Sequence, residues 1–190
     1  MTPALERSAR PVAGSLYGRR FQAHAALGSA RSARVVVPLV NGLVQPGSVV
    51  DVGCGAGSWL AEFRRQGVAD VLGIDGHAAG LSPELAAGEY LEHDLSTPIP
   101  VSRRFDLALS LEVAEHLPPS SGPGFVGELT RLAPAVLFAA AIPHQGGTGH
   151  LNERWPDYWA GCFAEHDYAA VDCVRPRVWS NPDEIGRAHV

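Results

Sequence analysis

From residue 48 onward, short runs of β-branched and aliphatic residues alternate with longer stretches whose apolar positions recur at threes and fours. That alternation predicts a parallel α/β sheet. The predicted strands are Val49–Val52, Asp70–Asp75, Tyr90–His93, Phe105–Ser110, Ala135–Ile142 and Tyr168–Val174. Helices are expected over Trp59–Gln66, Gly124–Leu132 and Trp155–His166. Gly67 stands where the first of these would end, a plausible cap. Upstream, Phe21, Ala25, Leu27, Val35, Val36, Leu39, Val40 and Leu43 suit one or two helices over Arg19–Leu43, with Pro38 able to kink or divide them. Gln45-Pro46-Gly47-Ser48 is a turn.

At 190 residues the chain has room for one domain. Residues 1–18 carry Pro3, Pro11, Gly14 and Gly18 without a sustained period and are expected to form a loose arm, leaving 19–183 as the domain. The end, Glu184-Ile185-Gly186-Arg187-Ala188-His189-Val190, coincides with an in-frame translation of a common sequencing adapter. It is expected to be non-native, with the natural protein continuing past Asp183. Hydrophobic residues make up 46% and charged residues 18%, which excludes a disordered chain. The longest apolar run, Ala135–Ile142, is far too short for a membrane span.

Fifteen basic residues, all arginine, against twenty acidic ones give a net charge of −5 and argue against a broad nucleic-acid face. Cys54, Cys162 and Cys173 form no CxxC pair, so neither a disulfide scaffold nor a zinc site is expected, and a reducing cytoplasm is.

The chemistry concentrates in Val49-Val50-Asp51-Val52-Gly53-Cys54-Gly55-Ala56-Gly57, a strand running into a glycine turn and then a helix. Such loops let a ligand approach the backbone and offer N–H groups to a carboxylate or phosphate. Taken alone, the motif is also a common structural turn. Asp75 ends the second strand eighteen residues after Gly57, where doubly wound sheets place an acceptor for ribose hydroxyls, and Asp94 follows the third. A nicotinamide dinucleotide and S-adenosylmethionine both suit the crevice. The dinucleotide fingerprint is G-x-G-x-x-G/A, whereas here the spacing is G-x-G-x-G. A negative charge at Asp51 is expected to repel a pyrophosphate and attract a methionyl ammonium.

These segments, with Gly73-Ile74-Asp75 and the run from Phe105-Asp106 through Glu112-Val113-Ala114-Glu115-His116-Leu117, resemble the class I S-adenosylmethionine-dependent methyltransferases. The resemblance is strongest to bacterial small-molecule enzymes with an E-V-x-E-H-L segment. It implies a Rossmann-like sheet of order 3-2-1-4-5-7-6, with strand 7 expected after Trp179 and missing here, which leaves strand 5 an exposed, aggregation-prone edge. It also implies that Gly53, Cys54, Gly55 and Gly57 flank the methionyl group and that Asp75 with Gly76 holds the ribose. Asp94 and Leu95 would border the adenine, and Ser110 and Leu111 would line the pocket beside the sulfonium.

Catalytic candidates are His116, Glu115 and His150, with His144, Asn152 and Glu153 in the same glycine-rich loop as His150. Glu112, Glu115 and His116 stand at i, i+3 and i+4, which would share one face of a helix. Glu115 or His116 then acts as base or positioning group. Alternatively Glu112, Glu115 and His116 hold a divalent cation, as in some methyltransferases with this segment, one class of which adds a downstream histidine that His150 would supply. In a purely structural alternative Glu112 caps a helix and His116 is a satisfied hydrogen-bonding residue. The first alternative is adopted and no metal is assigned.

Trp155, Tyr158, Trp159 and Phe163 are expected to form a packed helix face, and Cys54 to be an unreactive packing residue. The chain is thus expected to methylate a small molecule at a hydroxyl oxygen, without nucleic-acid or membrane partners. The alternatives are an NAD-dependent oxidoreductase and a non-catalytic binding module.

Overall fold

The computed structural model describes residues 19–76, 85, 86 and 88–181, with backbone alone for 19–26. The expected arm at 1–18 and the tail at 184–190 lie outside the described residues.

Helix α1 (Arg19–Val44) is unbroken, with Pro38 inside it. Pro38 lacks an N–H for the helical ladder, a loss of about 3 kcal/mol in an isolated helix. Burial of Ala33, Val36, Val37 and Val40 against the sheet offsets it. Strand β1 (Ser48–Val52) follows the turn, then α2 (Ser58–Arg65), β2 (Asp70–Asp75), β3 (Tyr90–Glu92) and β4 (Leu107–Leu111). Next come α3 (Gly122–Leu132), β5 (Val136–Ala139), α4 (Pro156–Ala164) and α5 (Arg175–Val178).

The five strands form one sheet in the order β3-β2-β1-β4-β5, every pair parallel. These are the first five positions of the expected class I arrangement. Strand β1 lies at the centre, and alternation along it sends Val49 to the face covered by α1 and α2 and Val50 and Val52 to the face covered by α3 and α4. Asp106 fixes the entry of β1 beside β4: its Oδ2 accepts from the N–H groups of Gly47 and Ser48 at 2.9 Å and from the Ser48 hydroxyl at 3.0 Å. That clamp sets the level at which both strands reach their carboxyl ends, where the site lies.

The expected strand at Tyr168–Val174 does not form. Residues 168–173 run outside any ladder, because a strand needs a pairing neighbour and the described residues supply none beyond β5. The Tyr168 hydroxyl donates instead to the carbonyl of Thr130, at 3.0 Å. Strand β5 also stops at Ala139 rather than Ile142. Its neighbour has already turned away, with Glu112 N–H to Ala139 O the last bond between them.

Beside β5 lies a groove of about 770 Å³, walled by Phe138, Trp159, Phe163, Tyr168 and Val171 among others. None of the glycine-loop residues, nor Glu115, His116 or His150, lines it. Among the described residues, no helix is long and apolar enough to cross a membrane.

Candidate functional site

At the carboxyl end of β1 the chain makes three left-handed glycine steps, Gly53 at φ 91°, Gly55 at 51° and Gly57 at 79°. Several loop N–H groups serve the protein rather than a ligand. Those of Gly53 and Cys54 donate to Ile74 O, that of Gly57 to Cys54 O, and that of Gly55 to Asp75 Oδ2 at 2.8 Å. The expectation of a loop lined with donors for a carboxylate or phosphate therefore fails at these four positions. What the loop offers is room: a Cβ on Gly55 would meet nothing within 4 Å. Helix α2 begins directly after the loop, with Gly57 at its N-cap.

Cys54 packs as expected, 6% exposed. Burial, then repulsion by Asp51 and Asp75, pushes its thiol well above the usual range. Gly73, directly opposite, leaves the room it needs, since a Cβ there would lie 2.7 Å from Cys54 Sγ.

Asp51 is 2% exposed and its Oδ2 has no hydrogen-bond partner among the described residues. Burial, reinforced by Asp75, pushes its carboxyl up to about 8. The standing negative charge expected there is corrected: without a cation beside it, the group holds its proton at neutrality. Burial inside the sheet, invisible to a residue count, decides this.

Asp75 ends β2 beside Gly55, and Gly76, the other residue expected at the ribose, follows the strand. Asp94 is exposed, and its Oδ1 closes an Asx turn on the Ser96 N–H at 2.9 Å and on the Ser96 hydroxyl at 2.7 Å. Leu95 is half-buried against the core. Ser110 is fully buried on β4, its hydroxyl unpartnered among the described residues, and Leu111 is half-buried at the strand end.

After β4 the expected helical face is not there. Glu112 takes a left-handed backbone at φ 60°, and Glu115 and His116 lie in a 3₁₀ turn, Ala114–His116, rather than in an α-helix. The tight turn nonetheless throws Val113 against Gly53 and brings Glu115 and His116 inward. Glu115 is fully buried, and neither of its oxygens has a hydrogen-bond partner of good geometry among the described residues. Burial, then repulsion from Glu112, pushes it up to about 7, while nearby backbone at Glu115 and Ala141 and the His150 ring pull the other way. Its own carbonyl accepts from the N–H groups of Leu151 and Asn152 at 2.7 and 3.0 Å, which draws the loop after β5 over the turn.

The result is a long-range cluster. One ligating atom each from Glu115, His116 and His150 lie within 4.8 Å of one another. Glu112, named in the sequence-derived cation set, is not among them and His150 takes its place. The two imidazole rings meet edge to face, centroids 4.9 Å apart. His116 Nδ1 lies 3.3 Å from the Gly149 carbonyl, an acceptor only, so Nδ1 carries the hydrogen and Nε2 the lone pair. Burial holds the His116 imidazolium below the usual range.

In the same loop Glu153 accepts from the His144 N–H at 3.1 Å and lies 2.9 Å from His150 Nδ1. Sequence reasoning placed Val113 and Gly73 in motifs and Gly147 in the glycine-rich loop but missed what each of them packs against. Gly73 was visible as a residue, but the side chain it accommodates, Cys54, lies nineteen positions away.

Residues 23–168 match a family described as a methyltransferase domain. No curated protein matches the chain in sequence. Among solved structures, the chain is similar to magnesium protoporphyrin IX methyltransferase (ChlM) from Synechocystis PCC 6803 with bound SAH. The identity is 17% and the TM-score 0.57, over 83% of this chain and 83% of that one. It is also similar to a DhpI–SAH complex, at 15% identity and TM-score 0.55, over 78% of this chain and 81% of that one. Similarity to Streptomyces venezuelae DesVI has 17% identity and TM-score 0.54, over 73% of this chain and 62% of that one.

Proposed function

This chain belongs to the methyltransferase domain family, and from that premise we propose that it moves the methyl group of S-adenosylmethionine to a hydroxyl oxygen of a small molecule. The observation that carries the reading is the open Gly55 position after β1, whose N–H donates to Asp75 Oδ2, with the buried Asp51 carboxyl close enough to feel the same Asp75. A cationic, ribose-bearing ligand suits that place: Asp51 has an unpartnered buried oxygen to set against positive charge, and Asp75 accepts from ribose hydroxyls. Two of the similar proteins hold SAH, which supports the same ligand here.

When bound, S-adenosylmethionine supplies a methyl group activated on a positively charged sulfur. The chain's own part is alignment and proton management. Burial keeps His116 neutral, and the hydrogen bond to Gly149 fixes its lone pair on Nε2, which takes the proton of the acceptor hydroxyl. Glu115, pushed up to about 7, limits the negative charge around that proton and exchanges with the histidines.

A second reading is favoured by the mutual 4.8 Å clustering of Glu115, His116 and His150. There the three hold a divalent cation, and the cation lowers the acceptor's pKa. Chelation separates the two: transfer that survives EDTA assigns the base, while transfer lost to EDTA and restored by manganese or magnesium assigns the cation.

The ligand itself is tested by thermal denaturation. S-adenosylhomocysteine is expected to raise the melting temperature and NAD to leave it unchanged. Stabilisation by NAD alone would overturn the proposal in favour of an oxidoreductase. Isotopic methyl transfer into a metabolite extract then separates an enzyme from a binding module.

A further inference from the structure

We propose that Glu153 is a positioning residue that fixes His150 as its Nδ1–H tautomer and so reserves the Nε2 lone pair for the cluster with Glu115 and His116. The inference rests on the site read above and adds to it the group that orients its third member. A carboxylate only accepts, so the 2.9 Å contact from Glu153 Oε1 to His150 Nδ1 requires the hydrogen on Nδ1. Glu153 Oε2 accepts from the His144 N–H, closing the loop between residues 144 and 153 into a ring.

The other side of the imidazole is set by the absence of a side chain. A Cβ on Gly147 would lie 2.2 Å from both Cε1 and Nε2 of His150, so the ring occupies the space that any other residue would fill. Gly149 completes the arrangement by taking the Nδ1 hydrogen of His116. Both imidazoles therefore receive an acceptor on Nδ1, one from a carboxylate and one from a carbonyl. Outer acceptors of this kind fix a ring's tautomer and orientation, whether the ring serves as a base or as a metal ligand.

The test is nitrogen NMR of the protein carrying ¹⁵N-histidine, at a pH where the rings are neutral, with the His150 signals identified as those lost in His150→Gln. Wild type is expected to show His150 with a protonated Nδ1 and an unprotonated Nε2. Glu153→Ala is expected to move most of the population to the opposite tautomer, with Glu153→Gln, which keeps one acceptor oxygen, in between. Binding of S-adenosylhomocysteine to Glu153→Ala is expected to stay within about twofold of wild type, because Glu153 does not touch the glycine loop.

A wild-type His150 protonated on Nε2, or a tautomer unmoved by Glu153→Ala, would overturn the proposal. If the alanine variant does not fold, the wild-type spectrum decides alone. Failure of the wild type to bind S-adenosylhomocysteine would count against the methyltransferase reading and leave the tautomer result standing.

Discussion

Gly53 and Val113 are packed so closely that a Cβ on the glycine would lie 2.2 Å from Cγ2 of the valine. The glycine follows β1 and the valine sits in the turn after β4, so this contact sets the gap between the two loops. Gly53→Ala is expected to destabilise the protein by on the order of 3 kcal/mol, combining a left-handed backbone at φ 91° with an overpacked contact. Val113→Ala removes the obstacle, so the double variant is expected to lose less than the sum of the two single losses. Strict additivity in urea denaturation would show that the contact does not couple the loops.

Asp75 accepts from the Gly55 N–H, whereas Asp94 closes a turn on Ser96. Asp75 faces the open Gly55 position, and as an acceptor for two ribose hydroxyls its loss is expected to cost about 3 kcal/mol of binding, roughly a hundredfold. Asp94 is committed to Ser96, and Asp94→Ala is expected to change S-adenosylhomocysteine affinity by less than about threefold. Calorimetry giving the two variants equal losses would put the ribose end elsewhere.

The pH dependence of stability follows from the two buried acids. The folded protein holds a proton on Asp51 up to about 8 and on Glu115 up to about 7, while the unfolded chain releases both near pH 4. Between those values the native state binds more protons, so stability is highest on the acid side and falls as pH rises from about 4 to about 8. Glu115 alone accounts for on the order of 3 kcal/mol of that fall. Asp51→Asn and Glu115→Gln are each expected to flatten the slope and to raise stability at pH 8. Denaturation curves that coincide with wild type across this range would show the carboxyls to be ionised in the fold.

Five strands were legible as short apolar runs between helical stretches, most of them closed by glycine, aspartate or proline, and their order came from the family resemblance. Tyr168–Val174 has equally good strand composition and forms none, since propensity counts only where a neighbour pairs. The glycine loop and Asp75 could be read from local spacing.

The E-x-x-E-H segment pointed to residues that do come together, Glu115 and His116, but through the wrong geometry. Helical spacing was assumed, whereas a left-handed Glu112 and a 3₁₀ turn bring Glu115 and His116 inward. The partnership of His116 with His150 spans thirty-four positions, and the neutral state of Asp51 depends on burial from every side. Neither is encoded in any short window of the chain.

The state of Asp51 gives a last test, because a cation and a diphosphate act on it in opposite directions. Near pH 7 the unliganded carboxyl, raised to about 8 by burial and by Asp75, is mostly protonated. A ligand that sets an ammonium beside the glycine loop makes ionisation favourable, so binding of S-adenosylhomocysteine is expected to release close to one proton. A diphosphate on the same loop would raise the carboxyl further and release none. Calorimetric titration at pH 7 in buffers of different ionisation enthalpy counts the protons directly. Asp51→Asn is expected to abolish the release, and wild-type binding with no release, or release that persists in the asparagine variant, would show that the ligand's positive charge does not meet Asp51.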